Sequence, residues 1–138
     1  MSNLTITERR NGSVTVLDLK GSIRLGEGNI ELHQTLRALV GKGERKVLLN
    51  LAGISYIDSS GLGELVAGYT TLQKNGGELK LVNLTDRITE LMVITKLLTV
   101  FDVFEDEQTA IESFSNQPEV IAAEESAVTG KLDKSLIA

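Results

Sequence analysis

Tyr56-Ile57-Asp58-Ser59-Ser60-Gly61-Leu62-Gly63 sets an acid, two hydroxyls and two glycines between a buried strand and an amphipathic helix. That order places Ser59 at the open N-terminal end of the helix. The first N–H groups of a helix have no internal partners, and its macrodipole makes that end electropositive. A phosphate is readily accommodated there. Gly61 and Gly63 read as backbone necessities, allowing angles that side chains forbid and close approach of another surface. The residue types therefore describe a serine to be modified and recognised, not a catalytic one. Read locally, Ser59 and Ser60 are equally a helix cap with its adjacent turn.

Other chemistry finds little support. His33, the single histidine, falls off the Leu32/Leu36 stripe of a predicted helix and reads as a solvated or rim residue. It has no evident Ser or Asp partner, and there is no Gly-x-Ser-x-Gly elbow. Gly61 to Gly68 has the outline of a phosphate loop, but Tyr69-Thr70 follows where Lys-Ser/Thr is required. No Asp/Glu/His cluster has metal spacing, so neither metal nor cofactor is expected.

The elements that must position Ser59 follow from hydrophobic period. Leu4 to Arg9 and Val14 to Leu19 alternate on either side of Asn11-Gly12, which predicts an antiparallel hairpin. Gly26 and Gly28 mark a loop. Leu32, Leu36, Leu39 and Val40 then recur at helical spacing from Asn29 to Gly41. Lys46 to Leu51 is short and almost continuously apolar, as a central strand covered on both faces would be. After the serine junction, Leu62, Leu65, Val66, Tyr69 and Leu72 form one helical stripe closed by Gly76-Gly77, with Glu64 in its first turn. Glu78 to Val82 is a strand, and Thr85 with Asp86 caps a helix carrying Ile88, Leu91 and Met92. Val100 to Phe104 reads as a short edge strand and Glu107 to Phe114 as a last helix. Two strands followed by helix–strand alternation predict an α/β fold with a mixed sheet.

Composition agrees. The 138 residues suffice for one domain, taken as 1–114, with 115–138 as a flexible tail opened by the only proline, Pro118. The chain has no Cys, which excludes disulfides and thiol chemistry and fits a cytoplasmic protein. A net charge of −5 argues against nucleic-acid binding. No run is long or apolar enough for a signal peptide or membrane insertion.

Val47 to Leu51, Ile54 to Gly63 and Gly76 to Leu84, in that order and spacing, resemble the STAS domain of bacterial anti-sigma factor antagonists, from about residue 4 to residue 114. The resemblance implies a single domain with a four- to five-stranded mixed sheet and helices mainly on one side. It also implies partner switching. The unmodified antagonist binds an anti-sigma factor serine kinase of histidine-kinase-like fold and frees a sigma factor. That kinase phosphorylates the serine after the aspartate, here Ser59, and a PP2C-type phosphatase resets it. Asp58 is then either a cap or a kinase-facing acid. The partner-facing patch is expected to hold Asp58, Ser59, Ser60, Gly61 and Leu62 with Arg24, Gly26 and Gly28 of the preceding loop. A weak homodimer is compatible with this reading.

Two departures from the family pattern stand out. Arg24 occupies a position where an acid is usual, which bears on partner choice. Thr95-Lys96-Leu97 replaces a Thr-Gly-Leu pattern, and the lost glycine is expected to alter the cap geometry. The other readings are a scaffold STAS protein of a signalling assembly, the small STAS subunit of a lipid-transport ATPase and, the weakest, a hydrolase using Ser59. Taken together, the sequence describes a binding protein without catalytic activity.

Overall fold

The computed structural model describes residues 3–114, so the tail expectation falls outside the described residues. Strands β1 (Leu4–Asn11) and β2 (Val14–Ile23) form the hairpin, turning through Gly12 at φ +65°. Helix α1 (Glu27–Gly41) leads to β3 (Lys46–Ile57), and α2 (Ser59–Lys74) to β4 (Glu78–Val82). Helix α3 (Asp86–Ile94), a 3-10 turn (Leu97–Thr99), β5 (Val103–Phe104) and α4 (Glu107–Ser113) complete the fold.

The sheet runs in sequence order, β1-β2-β3-β4-β5, with β1 antiparallel and the rest parallel. Each parallel step goes the same way, so crossovers of one hand lay α1, α2 and α3 on a single face. Their Leu32, Leu36, Leu65, Leu72, Ile88 and Met92 close over Leu17, Leu49, Leu51 and Leu81 of the sheet. Helix α4 covers the opposite face, where Ala110 and Phe114 meet Val14, Val16, Leu48 and Val82. Arg9 fastens this second layer, pairing with Asp18 of β2 and Glu107 of α4 at 2.6 Å each. Lys80, buried between the Phe104 and Phe114 rings, donates to the Ser113 carbonyl at 2.9 Å.

Three local expectations need correction. Strand β3 does not stop at Leu51 but continues to Ile57. Against β2, one extra β3 residue is accommodated between the Asp18/Asn50 and Lys20/Gly53 pairs, and another before Ser22/Tyr56. These bulges change the burial spacing to Leu51, Ile54, Ile57, which hides the strand from a period-2 search. The edge strand shrinks to Val103–Phe104 because Phe101 turns into the core, edge-on to Tyr69 with centroids 5.4 Å apart. Finally, Lys96 does not alter the cap after α3. It adopts the left-handed conformation itself, at φ +67°.

Helix α2 ends as its glycines require. Gly77 donates to the Leu72 carbonyl at 2.7 Å and Gly76 to that of Gln73 at 3.1 Å, with Gly76 at φ +79°. This is the Schellman arrangement.

Candidate functional site

The site forms where β2 and β3 end side by side and α2 begins. Asp58 is extended, at φ −105° and ψ −175°, and Ser59 is the first residue of α2. Both Asp58 carboxylate oxygens are engaged by backbone. Oδ1 accepts the Gly61 N–H at 2.9 Å, capping α2, and Oδ2 accepts the Leu25 N–H at 3.0 Å. The Asp58 N–H in turn donates to the Ile23 carbonyl at 3.2 Å. These bonds, the Leu25 amide foremost and then that of Gly61, hold the Asp58 carboxyl below its ordinary range, with a smaller contribution from the Arg24 charge. Asp58 is therefore an ionised cap and a clamp between two loops. The capping half of its sequence reading is therefore present in the structure.

Ser59 is exposed, and its hydroxyl has no hydrogen-bond partner among the described residues. Ser60 is half-buried beside it. Arg24 and Gly26 lie exposed on the facing loop, and the Arg24 guanidinium rests over the Tyr56 ring, 4.7 Å from its centroid. Three residues expected on the rim instead lie beneath it. Leu62 is a core residue, Gly28 is buried against the Ser22 carbonyl, and Gly61 is buried against β2 and β3. A Cβ on Gly61 would sit 2.4 Å from the Ile23 carbonyl oxygen and 2.7 Å from Ile57 Cγ1. Gly63 carries no such constraint: a Cβ there meets open space.

The rim also holds two apolar residues: Leu25, 76% exposed and inside the loop expected to border the serine, and Tyr56, 38% exposed, which opens the motif but has no role read from sequence. Exposed large apolar residues flanking a turn were the available signal, but exposure itself is a property of the fold. His33 is exposed on α1 and its Nδ1 lies 2.9 Å from Glu64 Oε2, tying α1 to α2. Glu64 falls in the second turn of α2 and not in the first as expected, because the helix begins at Ser59. A groove of about 1070 Å³ runs from Asn83–Asp86 to Phe101–Glu105 and shares no residue with the Ser59 rim. Among the described residues no acidic or histidine cluster could hold a metal, and no helix is long and apolar enough to cross a membrane.

Comparison with known proteins bears on the family and the fold. The family model described as STAS domain matches residues 5–110. An anti-sigma-B factor antagonist of Bacillus subtilis is 31% identical over 101 residues, 73% of this chain and 91% of that one. An anti-sigma factor antagonist structure from Mycobacterium paratuberculosis superposes with a TM-score of 0.69 at 20% identity, covering 80% of this chain and 93% of its own. The phosphorylated form of the Bacillus cell fate determinant SpoIIAA superposes at 0.63 and 17% identity, covering 78% and 97%. At these identities the two structures speak to fold alone.

Proposed function

This chain belongs to the STAS domain family, and we propose that it acts as an anti-sigma factor antagonist switched at Ser59. Unphosphorylated, it binds an anti-sigma factor serine kinase through the rim of Ser59, Ser60, Arg24, Leu25, Gly26 and Tyr56, so that a sigma factor is released. Phosphorylation weakens that binding, and a PP2C-type phosphatase restores it. The role is regulatory binding, with no catalytic step of its own.

One observation carries the reading. Asp58 already accepts the Gly61 and Leu25 amides, so the cap is made without Ser59, whose hydroxyl stands exposed with no structural task. A serine kept for capping would be engaged as Asp58 is. A relative's name, anti-sigma-B factor antagonist, supports the antagonist part of the reading.

The physics of the switch is local. A phosphate adds roughly −1.5 to −2 charges next to the ionised Asp58. Set against a partner surface shaped for a hydroxyl, like-charge juxtaposition costs several kcal/mol. A loss of ~3–4 kcal/mol lowers affinity several-hundred-fold. No refolding is required. The test is intact mass of the wild type and of Ser59→Ala after expression in the native cytoplasm. The expected result is a phosphate-sized increment in the first and none in the second. An increment retained by Ser59→Ala would move the acceptor to another residue, with Ser60 the first candidate.

A further inference from the structure

We propose that Arg24 is the intramolecular ligand of a phosphate on Ser59, and that it leaves the Tyr56 ring to bind it. The proposal deepens the reading above and rests on it. Arg24 is pinned on both sides against the residue that precedes Ser59. Before it, the Ile23 carbonyl accepts the Asp58 N–H at 3.2 Å; after it, the Leu25 N–H donates to Asp58 Oδ2 at 3.0 Å. Consecutive Cα atoms are about 3.8 Å apart, so the Ser59 oxygen falls within reach of an arginine side chain rooted there.

The guanidinium is available. It is exposed, and among the described residues no carboxylate lies within ion-pair distance of it. Asp58, the neighbouring acid, accepts an amide on each oxygen and makes no ion pair with Arg24, whose charge acts on it only at a distance. What holds Arg24 is the Tyr56 face at 4.7 Å, and a cation–π contact at an exposed site is weak. A guanidinium paired with a phosphate gains two parallel charge-assisted hydrogen bonds, so the exchange favours the phosphate.

The covalent event is ordinary phosphoryl transfer. The Ser59 Oγ–P bond forms, the terminal P–O bond of a nucleoside triphosphate breaks, the hydroxyl proton is lost and the diphosphate leaves. The Arg24 step that follows is non-covalent. It has two consequences for the rim: the arginine is withdrawn from any partner, and the Tyr56 ring face is uncovered. Phosphorylation thus removes one recognition element while adding a repulsive one.

The test installs phosphoserine at position 59 of the full chain during translation, so that no kinase is needed. A chain that no kinase modifies would fail the functional reading and leave this test intact. Nuclear Overhauser contacts between Arg24 and the Tyr56 ring are expected in the unmodified protein and lost in the phosphoprotein. In a ³¹P pH titration, Arg24→Gln is expected to raise the phosphate midpoint by about 1 unit, the low end for loss of an adjacent opposite charge. Arg24→Lys should recover part of that shift. An unchanged midpoint in Arg24→Gln would overturn the proposal and leave the phosphate to the α2 amides alone.

Discussion

Gly61 and Gly63 occupy one helix two residues apart, yet alanine should act on them in opposite directions. At Gly61 the added methyl would meet the Ile23 carbonyl oxygen at 2.4 Å, Ile57 Cγ1 at 2.7 Å and Ile23 Cγ2 at 3.0 Å. The first of these is backbone, and it already accepts the Asp58 N–H, so α2 must move away from β2. Overpacking of this kind costs ~1–3 kcal/mol, and straining the Asp58–Ile23 hydrogen bond adds ~1 kcal/mol. The intrinsic gain of alanine over glycine within a helix offsets ~0.5–1 kcal/mol of that. The net expectation for Gly61→Ala is a destabilisation of ~1–3 kcal/mol. Gly63 faces open space, so Gly63→Ala should keep the helical gain of ~0.5–1 kcal/mol. Urea unfolding followed by circular dichroism reads both variants. With slopes of ~1–3 kcal/mol/M for small domains, Gly61→Ala should lower the midpoint by about 1 M and Gly63→Ala should raise it slightly. A Gly61→Ala protein as stable as the wild type would refute the packing of α2 against the β2 and β3 ends, and with it the described position of Ser59.

Lys96→Gly should stabilise the domain by ~1 kcal/mol, because Lys96 holds a left-handed conformation at φ +67° that only glycine adopts without penalty; thermal denaturation checks it. Asp58→Ala removes the α2 cap, at a cost of ~1–2 kcal/mol in urea unfolding, and should increase amide exchange at Leu25 and Gly61, the two N–H groups it binds. Arg9 holds the Asp18 and Glu107 carboxyls below their ordinary values of 3.8 and 4.5. Both are lowered in the folded state, so their stabilisation is complete above those ordinary values and is lost as pH falls through the lower folded ones. Stability measured between pH 7 and pH 3 should therefore fall less steeply in Arg9→Met than in the wild type.

Much of this was legible because the strongest signals are local. The Gly76-Gly77 stop, the Thr85 cap and the almost continuously apolar run of Val47 to Leu51 each carry their own physical reason, and all appear as expected. The rest of β3 was hidden because its two bulges break the period, and Gly53 and Ser55 resemble turn residues. Gly53 is instead a close-approach position, 2.9 Å from the Leu19 carbonyl if it carried a Cβ. The retained cap at Lys96 was equally hidden, since a side chain can be forced into the left-handed region when surrounding structure determines it. At the site, the sequence located Ser59 and its junction. It did not separate rim from floor: Gly28, Gly61 and Leu62 support the surface, whereas Leu25 and Tyr56 lie on it. That division depends on β2 ending beside β3, a long-range contact that no local pattern encodes.

The central claim is that one phosphate on Ser59 controls a protein partner. Isothermal titration should compare the unmodified chain and the chain carrying phosphoserine at 59, each against the anti-sigma serine kinase of its own source. The account predicts binding by the first and a several-hundred-fold weaker affinity for the second, with circular dichroism unchanged between them. Equal affinity for both forms would contradict it.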